Sequence, residues 1–163
     1  WLGVYQTLTP GVDLSVEPTV RLDLDNEPQP DAALFIEAAA GGQTLISADD
    51  YIEGPPELIV EIAASSAAMD RGIKKQVYRR NGVLEYVIWQ SYDNQLEWFW
   101  LTEGEYQLLS PDSDGILRSR VFPGLWLAVD ALLSNQMPRV LEVLQLGISS
   151  PEHTAFVEQF KKE

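Results

Sequence analysis

The chain has 163 residues, which suits one domain, and 45% of them are hydrophobic, with 5 Trp, 6 Tyr and 5 Phe as material for a packed core. It has no cysteine, which excludes disulfides, thiolate zinc sites and cysteine nucleophiles. Its 11 Lys and Arg stand against 25 Asp and Glu, a formal net charge of −14 that repels a phosphate backbone at long range and leaves local clusters of cations as the way to attract one.

Residues 16–24 alternate: Val20, Leu22 and Leu24 share one face, Arg21 and Asp23 the other, which predicts a half-buried strand. A turn over 25–30, rich in Asp, Asn and Pro, leads to Asp31 and a short apolar run, 32–36, that reads as a buried strand. Gly, Ala, Asp and Pro dominate residues 37–56, a surface excursion ended by Gly54-Pro55-Pro56. Residues 57–63 then form a buried strand with one charge, Glu61, in its middle. Ser65 or Ser66 can cap the following helix, in which Met69, Ile73 and Val77 form the packing stripe and Gly82 the left-handed stop. A strand over 84–89 precedes a hairpin of 95–101 and 105–109. Residues 121–127 close the sheet region, and two helices follow, near 138–146 and from Pro151, which Ser150 would cap. The result is one domain over 1–163, an α/β or α+β fold with a mixed sheet. No run of 18 apolar residues is present, so no membrane span is expected, and the absence of cysteine is compatible with a cytoplasmic location.

Three ionisable residues stand out in this layout: Asp31 at a strand start, Glu61 inside an apolar strand and Lys74 on the helix after it. An unpaired carboxylate in an apolar strand is costly, so Glu61 needs a metal ion, Lys74 or an arginine as partner. Two carboxylates can hold a hard cation such as Mg²⁺, and a nearby ammonium can steady an attacking water or a developing phosphate charge. A plain ion pair, with Asp31 as a turn residue, is the competing reading. Tyr78, four residues after Lys74, shares its helix face, and Asp70, four before, can pair with it at the surface. Residues 71–80 hold five of the eleven cations, Arg71, Lys74, Lys75, Arg79 and Arg80, as either a solvated helix face or a phosphate-facing patch. The one histidine, His153, is expected at the surface or in a helix cap. The run Trp98-Phe99-Trp100 is expected to pack both faces of a strand rather than to stack bases.

Four stretches in order carry a resemblance: PQPDAALFI at 28–36, PPELIVEIAASS at 55–66, DRGIKKQVYRRNGVLEYVIW at 70–89 and VFPGLWLAVDALL at 121–133. Together they resemble the bacterial putative restriction endonuclease family of the PD-(D/E)XK nuclease superfamily. The resemblance implies a restriction-endonuclease-like core with flanking helices and additional antiparallel strands, and Mg²⁺- or Mn²⁺-dependent hydrolysis of phosphodiester bonds in DNA. It places Asp31 at the PD aspartate and Glu61 at the second acid. The superfamily lysine would fall at Ala63, so that role passes to Lys74 on the next helix, with Lys75 as substitute and Tyr78 in support. The main chain of Ile62 is implied as a further metal ligand. Two features depart from the family pattern. Its Ser-Pro-Ser segment is here Ala64-Ser65-Ser66-Ala67, one residue shorter before Asp70. The N-terminal segment with its acidic residue is expected to be partly missing. A catalytically inactive interaction or scaffold protein on the same fold is the alternative. The aromatic, strand-rich C-terminal half suggests a homodimer.

Overall fold

The protein is described by a computed structural model over residues 1–63 and 70–161. Its centre is a six-stranded mixed sheet in the order β1-β3-β6-β7-β8-β9. The strands are β1 (Val12–Val16), β3 (Ala32–Ile36), β6 (Leu58–Ala63), β7 (Glu85–Gln90), β8 (Gln95–Thr102) and β9 (Glu105–Leu108). Within this sheet only β6 and β7 run parallel; its other neighbouring pairs are antiparallel. A parallel pair needs a crossover. Here it contains helix α2 (Lys75–Arg80), entered through a π turn at Asp70–Lys74 and followed by Gly82 at φ +83°. The capping serines and Met69 lie outside the described residues. A small second sheet joins β2 (Val20–Arg21), β5 (Ile52–Glu53) and β4 (Leu45–Ile46). A third is the pair β10 (Ile116–Arg118) and β11 (Trp126–Ala128). Helix α1 (Leu2–Thr7) precedes the strands; α3 (Val129–Leu133), α4 (Met137–Ile148) and α5 (Pro151–Gln159) follow them.

Strand periodicity sends alternate side chains to opposite faces. One face carries Leu34, Leu58, Val87 and Trp98 into the main core, against Tyr5 of α1, Val140, Val143 and Leu144 of α4, and Phe156 of α5. Each such side chain contributes about 1.5–3 kcal/mol when fully buried, which ties the helical layer to the sheet. The contact between α4 and the loop before β11 is close enough to demand glycine. A Cβ on Gly147 would lie 2.2 Å from the carbonyl oxygen of Gly124. The other face gathers Ile59, Tyr86, Ile88 and Phe99 around Tyr78 and Val83. Trp98 and Phe99 therefore pack on opposite sides of β8, as the sequence leads one to expect.

Several local expectations change. The strand over 16–24 shrinks to β2. Glu17 at φ +50° turns the chain after β1, and a tight reversal, with Leu22 N bonded to Asn26 O, leaves Leu24 fully exposed. The excursion 37–56 is not merely surface. It supplies β4 and β5, buries Ile52, and Arg21 binds it through Asp49 and Glu53. Ile73 is 68% exposed, and Tyr78 takes the buried position instead. The π turn inserts an extra residue per turn and rotates the helical stripe. Residues 121–127 do not extend the main sheet but lead into the separate β10–β11 pair. The tail helices start where predicted, and the Ser150 hydroxyl accepts the amide of His153. Among the described residues, no helix is long and apolar enough to cross a membrane.

Candidate active site

The pairing of β3 with β6 places Ala32 opposite Val60. Continued by one residue, the same register puts Asp31 opposite Glu61 at the end of the ladder. Cross-strand partners of this kind have Cβ atoms about 5 Å apart on one face. Asp31 is half-buried, and its Oδ2 accepts the amide of Ile62 at 2.7 Å, which fixes the carboxylate to the next residue of β6. Glu61 is only 4% exposed. Its Oε2 lies 3.0 Å from Lys74 Nζ, and its Oε1 accepts the Tyr78 hydroxyl at 2.7 Å. Lys74 and Tyr78 are four residues apart, one helical turn, so both reach the same carboxylate from α2 and the turn before it. Tyr78 is fully buried, edge-on to Tyr86 with ring centroids 5.1 Å apart.

The structure thus gathers Glu61, Lys74 and Tyr78 into one hydrogen-bonded group, with Asp31 on the neighbouring strand end. Lys75 is directed elsewhere: its ammonium stands 3.3 Å from the centroid of the Phe99 ring. The remaining described cations of this segment face acids. Arg79 binds Glu105, and Arg80 lies 4.0 Å from Asp23. The side chains of Asp70 and Arg71 lie outside the description. A groove of about 240 Å³ runs along the site, lined by Lys74, Tyr78, Ile73 and Val77 on one side and by Asp25, Asn26, Glu27 and Pro28 on the other. On the opposite face, a cleft of about 400 Å³ reaches Asp31 and Ile62 but is otherwise lined by apolar side chains such as Leu14, Val60, Trp89 and Met137.

The donor set suits a hard cation. Mg²⁺ keeps several waters and is commonly held through one or two carboxylates, and ionised carboxylate oxygens have further lone pairs beyond one hydrogen bond each. Asp31 and Glu61 supply two such groups from adjacent strands. Among the described residues, no third His, Cys, Asp or Glu joins them into a larger metal-binding cluster.

Three buried polar residues were not singled out as such by their sequence. Glu57 accepts the amides of Ile36 and Gln43; burial raises its pKa and those two bonds offset part of the rise. Glu85 opens β7 fully buried. It accepts the Ser119 hydroxyl and the amides of Arg120 and Val121, while burial pushes its carboxyl up to about 7. Its sequence signal was an acid at the start of an apolar strand, where Glu61 lies inside one. His153, expected at the surface, is instead 5% exposed. Its Nε2 is 2.9 Å from the Thr9 hydroxyl and its ring is edge-on to Tyr5; burial lowers its pKa. It is part of the packing of α5 against α1 and Thr9 just beyond it.

Comparison with known proteins gives two findings. Residues 3–130 match the family described as "Uma2: Putative restriction endonuclease". The fold is similar to a crystal structure from Anabaena variabilis ATCC 29413, described as a putative nuclease belonging to DUF820. The TM-score is 0.58 at 15% identity, covering 81% of this chain and 75% of that one. No curated protein matches. At that identity the structural likeness speaks for the fold, while the family match spans most of the sequence, including Asp31, Glu61, Lys74 and Tyr78. The chain belongs to the Uma2 family of restriction-endonuclease-like proteins.

Proposed function

We propose that this protein is a divalent-metal-dependent endonuclease that hydrolyses phosphodiester bonds in DNA. The observation that supports it most is Glu61: a carboxylate buried in an apolar strand, paired with Lys74 at 3.0 Å and opposite Asp31 in the continued β3–β6 register. Asp31 and Glu61 would hold Mg²⁺, with the main chain of Ile62 beside them. When bound, the ion would polarise the phosphate and lower the pKa of the attacking water. Hydrolysis bonds the water oxygen to phosphorus and breaks the bond to the leaving oxygen. Negative charge grows on the phosphate oxygens as it does so. Lys74 is the ammonium placed to face that charge or to orient the water. Tyr78 keeps Glu61 in place, and the groove beside Lys74 gives a substrate access to it. The test is cleavage of duplex DNA in Mg²⁺ by the parent, by Asp31→Ala and by Glu61→Gln. The reading requires activity in the first alone; equal cleavage by all three would assign it to a contaminant.

One observation favours a catalytically inactive binding protein on the same scaffold. The cations Arg79 and Arg80 are already engaged by acids, and the groove wall facing Lys74 carries Asp25 and Glu27. Such a surface attracts phosphates weakly. The two readings separate in a thermal melt. A specific Mn²⁺ site raises Tm in the parent and not in Asp31→Ala, whereas a scaffold without a site shows no difference.

A further inference from the structure

We propose that Tyr78 and Lys74 divide the Glu61 carboxylate between them: Tyr78 is a positioning residue that fixes Oε1, and Lys74 is a displaceable counter-ion on Oε2, the oxygen a divalent cation takes over. The inference rests on the nuclease reading above and adds an order of events to it. The two partners differ in every physical respect that governs exchange.

Tyr78 is fully buried, and its ring is held by Ile59, Val83, Tyr86, Ile88 and Phe99. Its hydroxyl cannot leave Oε1 without unpacking that cluster. The Lys74 side chain is 40% exposed and the Glu61 side chain only 6%, so the ammonium lies between the carboxylate and solvent. An ammonium and a divalent ion on one carboxylate oxygen repel each other strongly at this separation. Lys74 also has somewhere to go. It borders the groove whose lining includes Asp25 and Glu27, the latter held by Arg21, so a displaced ammonium moves toward the Asp25 side of an acidic loop rather than into bare solvent. Lysine, a point charge on a flexible four-carbon stem, suits such a swing better than a planar, forked guanidinium. Once displaced, the ammonium stands in the groove, where a substrate phosphate would lie. Cation loading thereby both completes the carboxylate site and releases the amine for the reaction.

The experiment measures Mn²⁺ affinity at pH 8 by the electron paramagnetic resonance signal of unbound ion. It uses the parent, Tyr78→Phe, Lys74→Met, Lys74→Arg and Asp31→Ala. Loss of the positioning hydroxyl should weaken Mn²⁺ by about tenfold, the usual size for a group that orients a ligand. Loss of the competing ammonium should tighten it by a similar factor, and Lys74→Arg, which keeps the charge and grips the carboxylate with a fork, should bind no more tightly than the parent. As a second readout, Mn²⁺ should raise the Tm of Lys74→Met by more than it raises that of the parent, because there it restores a cation beside a buried carboxylate that has lost its ammonium. Weaker or unchanged binding in Lys74→Met, or unchanged binding in Tyr78→Phe, overturns the division of roles. Should the parent bind Mn²⁺ no better than Asp31→Ala, the metal site falls and this inference with it. Should the parent bind and Asp31→Ala not, while the Tyr78 and Lys74 variants depart from these directions, only the inference falls.

Discussion

Glu61 and Glu85 lie on adjacent parallel strands of one sheet, and both are almost fully buried. Their partners are of different kinds. Glu85 sits at the start of β7 and is held by the Ser119 hydroxyl and by two main-chain amides of the loop that leads to β11. Those donors belong to the scaffold. The loop they fix also accepts the Tyr5 hydroxyl at the Pro123 carbonyl and so anchors α1. Glu61 sits near the opposite end of its strand, where a half-exposed lysine separates it from a groove. Burial of an acid is therefore no mark of chemistry in itself. What distinguishes the two is whether the charge partner can be exchanged with solvent or substrate.

The largest expected effect tests that distinction directly. Asp31→Ala and Glu61→Gln should lower Mg²⁺-dependent cleavage by about a thousandfold or more, in the range of losing a group that stabilises transition-state charge. Glu85→Gln should leave the rate per folded molecule within about twofold. Single-turnover cleavage, normalised to folded protein by circular dichroism, decides it; a comparable loss in Glu85→Gln would erase the contrast. The converse holds for stability. Glu85→Ala removes the acceptor of the Ser119 hydroxyl and of the Arg120 amide, while the Val121 amide keeps Ser119 Oγ, and should cost about 2 kcal/mol in urea unfolding. The loop 119–123 should then lose hydrogen-exchange protection first.

Acidity sharpens the comparison further. In the fold the carboxyl of Glu85 titrates near 7, above the ordinary 4.5 that it regains on unfolding. Between those two values the folded state holds a proton that the unfolded chain has released. Stability from this group is complete below about pH 4.5, is lost as pH rises toward 7, and changes no further above that. At about 1.4 kcal/mol per pK unit the whole slope is at most about 3.5 kcal/mol. A glutamine at position 85 removes it. The stability of Glu85→Gln relative to the parent should accordingly improve from pH 5 to pH 8. Asp23, Asp49 and Asp112, whose pKa values are lowered by hydrogen bonds and arginines, pull the other way in acid, but they do so in both proteins and cancel in the difference.

How much of this was legible in the sequence depends on how local each signal is. The strands around Asp31 and Glu61, the 95–108 hairpin and the capped helix at Pro151 follow from alternation, turn residues and an N-cap serine, all readable within a few residues. The pairing of Lys74 with Glu61 was one of three open possibilities for that acid, and the helical spacing to Tyr78 pointed to the phenol beside it. What could not be read were contacts made across the fold. Arg21 recruits residues 49–53 into a second sheet, Glu85 meets a loop more than thirty positions later, and His153 meets Thr9 over 144 positions. Periodicity also failed where the backbone left the regular helix, because a π turn has its own repeat.

Ile73 turns that last failure into the smallest of the expected effects. A regular helix through residues 69–77 would bury it with Val77, and its truncation to serine would then cost about 2 kcal/mol or more. With the π turn at Asp70–Lys74, Ile73 is 68% exposed at the rim of the groove, and Tyr78 takes the core position. Ile73→Ser should then shift urea stability by no more than about 0.5 kcal/mol, as surface substitutions do. A measured loss near 2 kcal/mol would mean that the helix keeps its regular phase, and would pull both Tyr78 and Lys74 away from Glu61. The effect on stability is small, but this substitution reports on the register that holds the whole candidate site together.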